Sequence, residues 1–263
     1  MITRHIKYQG SCIHSLTQPL PQGYLHIIHL AQQLTENMTA KNDIAVCQVS
    51  YEDIPTCFQI LSRSFGHDAP FFDMYFPHHD TPGGHAQGSQ RLIAWKQSSD
   101  NSTFLKAVMR DREGGQEHII GFAVWTFMKE APPAELVKAE NIQEVWPDEA
   151  DREFMTSLWR SYVIPRTRVV NDANGKGVYV LELLGVHPEY QRLGAGTSLV
   201  QWGTHEADKH GAKAVVEGTP VARRLYEKCG LLPQIEKMTF DVGEEFSGRR
   251  KPELLFMVRE PGS

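Results

Sequence analysis

The stretch of residues 178–233 constrains the fold of this chain more than any other. It begins with a β-rich run that ends at Val186, and a glycine-spaced turn, QRLGAG at residues 191–196, follows almost at once. A helical pattern opens directly after the turn. A strand, a tight glycine turn and a helix N-terminus direct several backbone N–H groups at one point, which suits a phosphate or pyrophosphate. The sequence therefore predicts a phosphorylated cofactor, with the strand before the turn lining the active site.

The composition favours an ordinary globular protein over a nucleic-acid or membrane protein. Of the 263 residues, 41% are hydrophobic and 22% are charged, which allows a sizeable core. The net charge of −5 argues against nucleic acid as a partner, because proteins that bind phosphate backbones usually carry a basic surplus. No run of about 18 apolar residues occurs, so we expect no membrane-spanning helix.

The cysteines and histidines show no metal-ligand spacing. The four cysteines include no CxxC pair, which indicates a reduced, cytoplasmic protein. The His78-His79 pair stands between Pro77 and Asp80, and we interpret it as loop. Structural zinc requires four closely set ligands, so the sequence predicts no metal.

Residues 1–40 are interpreted as an N-terminal extension that we expect to be disordered. Their low acidity resembles an organellar presequence, but two basic residues before Met38 are few for one. We favour the alternative that the extension plays no part in the fold and that Met38 is the working start. Residues 41–263 are then one domain, with a helical insert near residues 131–177.

Strand and helix patterns alternate along that domain. The predicted strands are residues 44–49, 103–109, 118–128, the run ending at 186, 213–217, 235–242 and 253–258. The predicted helices are residues 52–65, 71–77, two pieces within 134–163, 197–210 and 220–229, and the predicted loops include residues 80–90, 111–116 and 169–177. This order predicts an α/β fold in a single domain, with a mixed central sheet of about six to seven strands flanked by helices.

The glycine turn is weak evidence alone, and its context makes it specific. Its spacing is that of neither a dinucleotide-binding GxGxxG nor a P-loop. It follows a strand that ends in Val186-His187-Pro188, and a helix, a strand and a second helix ending in LYEKCGL at residues 225–231 come after it. This arrangement resembles the GNAT superfamily of acyl-CoA-dependent N-acetyltransferases. The close match covers residues 178–233, and the element order fits from Ile44 to Val258.

The resemblance implies acetyl-CoA as the co-substrate. The backbone N–H groups of the turn would hold the pyrophosphate, and the central strand would pair with the pantetheine arm. A backbone N–H near Val186 would polarise the thioester carbonyl. Glycine is expected at 194 and 196 because a side chain would block the approach of phosphate. The cofactor-binding residues so assigned are Leu184, Val186, Gln191, Arg192, Leu193, Gly194, Ala195, Gly196, Thr197 and Ser198.

The resemblance also places a general acid at Tyr226, where a phenol would protonate the departing thiolate. Glu182 is the candidate general base. It shares strand parity with Leu184 and Val186, which predicts that all three side chains face the same way. A carboxylate in an apolar strand is costly to bury without a partner or a role. An edge charge or a structural salt bridge is the alternative for Glu182, and His187 is an alternative base.

These roles predict an acetyl-CoA-dependent N-acetyltransferase that transfers the acetyl group directly to the amine of a small-molecule acceptor. Cys229 lies in a buried-looking cap position, so we expect no acyl-enzyme. The alternatives are a non-catalytic acyl-CoA-binding or regulatory module and an acetyltransferase of protein amines. Two further groups of residues each have two interpretations. Arg223 and Arg224 either contact the phosphates of the cofactor or lie on the solvated surface. Several aromatic residues either form a pocket for the amine or belong to the core, namely Phe72, Tyr75, Trp125, Phe127 and Trp159.

Overall fold

The fold is described from a computed structural model, which describes residues 44–110, 115–136 and 142–263. The expected N-terminal extension, residues 1–40, lies outside the described residues, as does most of the turn predicted at 111–116. No helix of the described residues combines the length and the apolar composition that crossing a membrane requires.

The described residues build one open sheet of seven strands, in the order β1-β2-β3-β4-β5-β7-β6. All neighbouring strands are antiparallel except β4 and β5, which are parallel. The strands are β1 Ile44–Gln48, β2 Ser102–Arg110, β3 Glu117–Met128, β4 Val178–Val186, β5 Lys213–Gly218, β6 Leu232–Ile235 and β7 Leu255–Arg259. The predicted α/β fold with a mixed sheet is confirmed.

Helices cover both faces of this sheet. They are α1 Ile54–Phe65, α2 Pro70–Tyr75, α3 Pro82–Ser98, α4 Ile142–Val145, α5 Glu149–Asp172, α6 Ala195–Lys209 and α7 Arg223–Lys228. On one face α6 packs across β1 to β5. Tyr179 and Leu181 of β4 point into that core, whereas Val178 and Val180 point into a core shared with α5 on the other face. The alternation follows from the two-residue period of a strand.

Strand β4 contains a β-bulge at Glu182. On β3, Trp125 pairs with Leu181, and the preceding residue, Val124, pairs with Leu183. Between these two pairs β4 therefore advances by two residues and β3 by one, so Glu182 is the extra residue. Such an insertion shifts the two-residue period of every side chain that follows.

The bulge overturns one expectation about the site. Leu184 and Val186 pack against the core under α6, whereas Glu182 hydrogen-bonds Arg166 of α5 on the opposite face. The prediction that Glu182 shares a face with Leu184 and Val186 is wrong, because strict alternation does not survive an extra residue.

The loop predicted at residues 80–90 is also wrong, since α3 spans most of it. The Thr81 hydroxyl accepts a backbone N–H of the first turn at 3.1 Å, and Pro82 occupies the first turn. The glycines that suggested a loop allow close packing instead: a Cβ at Gly88 would lie 2.0 Å from the ring of Phe58. Thr81-Pro82 is a helix-start signal that the glycines obscured.

Two other boundaries differ from prediction. Helix α5 continues to Asp172, so only the later part of the loop predicted at 169–177 is loop. The strand predicted at residues 235–242 is displaced, because β6 ends at Ile235. The residues after it are held in place by burial and by isolated hydrogen bonds. Phe240 is 7% exposed, and Met238 N donates to a backbone carbonyl at 2.7 Å.

Candidate active site

The parallel strands β4 and β5 separate in the middle of the sheet. They pair only from Val178 to Leu181, although β4 continues to Val186. The N–H of His187 donates to the Ile120 carbonyl at 2.9 Å on the β3 side. Because successive N–H groups of a strand alternate in direction, those of Leu184 and Val186 point away from β3, toward the gap beside β5.

The turn after β4 presents a row of backbone N–H groups. Gln191 returns its side chain to the strand, where Nε2 donates to the Val186 carbonyl at 3.3 Å. The first backbone bond of α6 runs from Ser198 N to the Gly194 carbonyl at 3.0 Å. Among the described residues, none accepts a hydrogen bond from the N–H groups of residues 192–197. Unpaired N–H groups at a helix N-terminus form an anion site.

Two residues with left-handed backbone shape this row. Arg192 has φ +64° and Gly194 has φ +109°. Left-handed residues beside right-handed ones turn neighbouring N–H groups toward a common point and so form an anion-binding nest. A side chain at Gly194 would meet no atom within 4 Å, so glycine is required there by its φ rather than by space.

Gly196 is explained by packing. A Cβ at this position would lie 3.2 Å from a methyl carbon of Leu225 and 3.5 Å from one of Val186. The glycine therefore lets α6 approach α7 and β4. From the sequence we expected glycine here in order to leave room for phosphate. The contacts of Gly196 indicate instead that glycine is needed for packing. Next to it, Ala195 is 1% exposed in the core, and Thr197 and Ser198 are partly exposed in the first turn of α6.

Tyr226 on α7 lies at the edge of the gap. A Cβ at Gly218, the last residue of β5, would lie 2.4 Å from its ring, so the absence of a side chain there admits the phenol. Tyr226 is 5% exposed, and no hydrogen bond joins its hydroxyl to another described residue. Burial raises the pKa of Tyr226 well above its ordinary value. The phenol therefore stays protonated at neutral pH.

Arg166 of α5 joins Glu182 and Glu217 in a buried ionic cluster. Its Nη1 donates to both Glu182 carboxylate oxygens, at 3.0 and 2.9 Å. Its Nε donates to Glu217 at 2.9 Å, and its Nη2 donates to the hydroxyl of Tyr162 at 3.1 Å. The side chains of Arg166 and Glu217 are 1% and 0% exposed, whereas that of Glu182 is 13% exposed. Only Glu182 is open to a bound molecule.

The cluster holds two carboxylates and one guanidinium. When both carboxylates are ionised it therefore carries one excess negative charge. Burial raises the pKa of Glu182, and the Arg166 guanidinium opposes that rise. Sequence reasoning found Glu182 but missed Arg166 and Glu217. Nothing in the spacing of α5 and β5 residues signals that their side chains meet.

Two basic residues considered for the site have other partners. His187 lies beside Arg63, with 2.9 Å between its Nε2 and the Arg63 Nη1, and this contact ties the end of β4 to α1. Arg223 donates to Glu227 at 2.7 Å and also pairs with Glu236. Its guanidinium is thus held within α7 and the following segment, whereas Arg224 is exposed.

Three of the aromatic residues considered for an amine pocket pack in or against the hydrophobic cores. Trp125 is 1% exposed, and its Nε1 donates to the Leu199 carbonyl beneath α6 at 3.1 Å. Phe72 is buried in the core formed with α1, and Phe127 packs on Tyr179 at a ring distance of 4.8 Å. The core interpretation therefore holds for these three.

A second aromatic group adjoins the ionic cluster. Phe71 stacks on Tyr162 with ring centroids 4.4 Å apart and on Tyr75 at 6.1 Å. Trp159 lies 5.8 Å from Tyr162. Phe71, Tyr75 and Trp159 are partly exposed, and Tyr162 links them to Arg166. The α5 side of the gap thus combines aromatic faces with a carboxylate.

Comparison with known proteins places the chain in a family. The model of the Acetyltransferase (GNAT) family matches residues 68–231, which include the glycine turn, Glu182 and Tyr226. None of the curated proteins matches the chain.

Two solved structures share the fold. Arylalkylamine N-acetyltransferase 2 from Aedes aegypti is 15% identical with a TM-score of 0.54, over 83% of this chain and 99% of that chain. A histone acetyltransferase HPA2 and related acetyltransferase from Corynebacterium glutamicum is 20% identical with a TM-score of 0.51, over 84% of this chain and 97% of that chain. The family match covers more than half of the chain, so the protein belongs to the GNAT family of acetyltransferases and is an N-acetyltransferase.

Proposed function

We propose that this protein transfers the acetyl group of acetyl-CoA directly to the amine of a small-molecule acceptor. The observation that carries the proposal is the row of N–H groups at residues 192–197, for which the described part of the chain offers no acceptor, next to the end of β4, which no longer pairs with β5. A diphosphate fits the first feature and an extended amide-containing arm fits the second. Acetyl-CoA contains both in one molecule.

The cofactor would lie along β4. Its pyrophosphate binds the turn, and its pantetheine amides pair with the N–H and carbonyl groups of Leu184 and Val186 that point into the gap. The thioester then reaches toward the bulge at Glu182. A backbone N–H of this part of β4 donates to the thioester oxygen and stabilises its developing negative charge.

The chemistry requires a base on one side of the thioester and an acid on the other. Glu182 accepts a proton from the acceptor ammonium, directly or through water, and the neutral amine attacks the carbonyl carbon. The attacking nitrogen loses its second proton to water, and the tetrahedral intermediate collapses with cleavage of the C–S bond. Tyr226 gives its proton to the departing thiolate. The raised pKa values of both groups support these roles.

Direct attack is favoured over an acyl-enzyme. Cys229 lies three residues after Tyr226 and is 7% exposed. Burial raises its pKa to about 11, so the thiol stays protonated at neutral pH and is a poor nucleophile. The amine itself is then the nucleophile.

The α5 side of the gap supports a small cationic acceptor. The ionic cluster has one excess negative charge, and Glu182 exposes part of it. The partly exposed rings of Phe71 and Trp159 can attract an ammonium group through cation–π contacts, whereas the Arg91 guanidinium already lies over the Tyr75 ring, 4.6 Å from its centroid. Aromatic rings beside one carboxylate suit a small amine better than an extended peptide.

The test measures thiol release from acetyl-CoA with a panel of small amines, a lysine peptide and a peptide with a free N-terminus. Tyr226→Phe should lower kcat about 10²- to 10⁴-fold, the usual contribution of a general acid, with little change in the KM for acetyl-CoA. Tyr179→Phe is the matched control, since Tyr179 is a buried tyrosine of β4 whose hydroxyl contacts His210 instead. The wild-type rate should not fall at alkaline pH until the pH exceeds the ordinary pKa of tyrosine, because burial raises that of Tyr226.

Three outcomes would count against parts of the proposal. An unchanged kcat in Tyr226→Phe removes the assigned acid. Turnover of the peptides but of no small amine makes proteins the acceptors. Binding of acetyl-CoA without turnover of any amine favours the non-catalytic module.

A further inference from the structure

A second group of ligand-type side chains lies outside the acetyl-transfer site. His67 follows α1, Asp73 belongs to α2, and His79 lies between α2 and α3. One ligand atom from each lies within 4.8 Å of the other two. The Asp73 Oδ1 is 2.9 Å from the His67 Nδ1 and 3.0 Å from the His79 Nε2. One carboxylate oxygen therefore stands between two imidazole nitrogens.

The contacts around His79 are compatible with a proton on its Nδ1, the nitrogen that faces Ser62. The Ser62 hydroxyl donates to the His79 backbone carbonyl at 3.1 Å, and the same oxygen is 2.8 Å from the His79 Nδ1. When the single hydroxyl proton is donated to the carbonyl, the Nδ1 donates to the Ser62 oxygen. The Nε2 of the neutral ring then directs its lone pair at Asp73. His79 is 1% exposed, so bulk water cannot separate the two acceptors.

His67 is oriented in the same way. Its Nε2 lies 3.4 Å from a carboxylate oxygen of Asp80. A carboxylate accepts but does not donate, so the Nε2 carries a proton toward Asp80, and the Nδ1 faces the Asp73 oxygen with either a proton or, when a metal ion replaces that proton, a lone pair. Two imidazole nitrogens and a carboxylate oxygen thus converge on one space, which either protons or a metal ion can bridge.

We propose that His67, Asp73 and His79 bind one divalent transition-metal ion of the zinc class. Two imidazole nitrogens and one carboxylate oxygen are ligands that Zn²⁺ prefers. Each histidine binds through one ring nitrogen while the other donates to an outer partner, Ser62 or Asp80, the arrangement that orients metal-binding histidines. Metal–ligand bonds of about 2.0–2.2 Å in a tetrahedron separate ligand atoms by about 3.3–3.6 Å, so the Asp73 oxygen needs to move only a few tenths of an ångström farther from each nitrogen.

A cavity of about 280 Å³ adjoins these residues and gives the ion an open position. His67, His79 and His85 are among its lining side chains. The Nε2 of His85 is buried and has no hydrogen-bond partner within the described parts of the chain. A buried polar atom of this kind requires a partner, and a water bound to the ion would supply one.

The ion would connect the end of α1 to α2 and to the segment before α3. Arg63, which lines the same cavity, contacts His187 at the end of β4. The ion would therefore fix a wall next to the strand that holds the cofactor. We expected no metal because the sequence shows no metal-ligand spacing. Ligands that come from three separate segments produce no such spacing. This inference does not depend on the proposed reaction.

The test uses the full chain without an affinity tag, freed of metal with a chelator and titrated with ZnCl₂ by calorimetry. We expect one Zn²⁺ per chain, a rise in Tm, and tetrahedral-type visible absorption when Co²⁺ replaces Zn²⁺. His67→Gln and Asp73→Asn should each weaken Zn²⁺ binding by at least about 100-fold, and loss of the outer partner in Ser62→Ala by about 10- to 100-fold. His78→Gln is the matched control: the same substitution at an exposed neighbour, with affinity unchanged.

The proposal fails if the wild-type chain binds no stoichiometric Zn²⁺, in which case a proton occupies the space between His79 and Asp73. It fails equally if His67→Gln, at a side chain 67% exposed and so tolerant of replacement, binds Zn²⁺ as tightly as the wild type. Circular dichroism of each variant separates loss of the site from loss of the fold.

Discussion

The two sides of the gap between β4 and β5 are built from different chemical groups. On the turn side the binding groups are backbone N–H groups of residues 192–197. On the α5 side they are the side chains of Arg166, Glu182 and Glu217, from three separate elements. Every residue but proline has a backbone N–H, so the turn depends on φ and ψ, whereas the cluster depends on residue identity. The turn should tolerate new side chains but not new backbone angles, and the cluster should do the reverse.

The largest effect should come from removing the guanidinium of the cluster. Arg166→Met leaves two carboxylates without their buried partner, which should reduce the free energy of unfolding by about 3–5 kcal/mol. Urea denaturation measures this loss. Arg160→Met on the same helix is the control, since Arg160 pairs with Glu135 on the surface and its loss should have no measurable effect.

A triple variant sharpens this result. If the loss in Arg166→Met comes from unpaired buried charge, adding Glu182→Gln and Glu217→Gln should restore most of the stability. A loss of stability that persists in the triple variant would instead assign the role of Arg166 to packing.

A smaller effect is expected from altering the backbone of the turn. Gly194→Val places a side chain at φ +109°, and such a conformation costs about 1–2 kcal/mol. In the free variant the turn should relax to another φ, so CoA binding has to restore the strained backbone and the affinity should fall about 10-fold, since 1.4 kcal/mol corresponds to a factor of ten. Gly175→Val is the control, because Gly175 also has positive φ (+81°) and open space around it but lies in the α5–β4 loop. Both variants should lose stability, and calorimetry should find weaker CoA binding only in Gly194→Val; equal affinities would remove the turn from the site.

The smallest effect should follow from a side-chain change within the same turn. Leu193 is 40% exposed, and its contribution to an anion site is its N–H. Leu193→Ala should therefore change the Kd for CoA less than about three-fold by calorimetry. A loss above ten-fold would show that the turn binds through side chains after all, and the contrast between the two sides would no longer hold.

The same contrast explains how much could be predicted from the sequence. The strand, turn and α6 are local in sequence, and glycines with special φ values mark them, so their positions were predicted within two residues. The contact of Arg166 with Glu217 joins α5 to β5, and no local pattern encodes it. For the same reason sequence reasoning missed the meeting of His67 with His79.

The β-bulge shows a second limit of sequence reasoning. The residues around Glu182 read Leu-Glu-Leu-Leu, which a regular strand also accommodates. The extra residue is visible only in the register against β3, where Trp125 and Val124 pair with Leu181 and Leu183. Strand alternation consequently placed Glu182 on the wrong face, although its identity as an unusual buried carboxylate was correct.

The separation of β4 from β5 has a consequence for self-association. An unpaired strand edge at the rim of a sheet invites a strand of another protein molecule and is a common route to aggregation. Here residues 182–186 present such an edge in the interior of the sheet, with β5 and β7 beyond it. A second polypeptide strand cannot add there without displacing β5, whereas a slender unbranched chain can enter. The fold thus keeps unpaired backbone groups available to a small molecule while withholding them from its own copies.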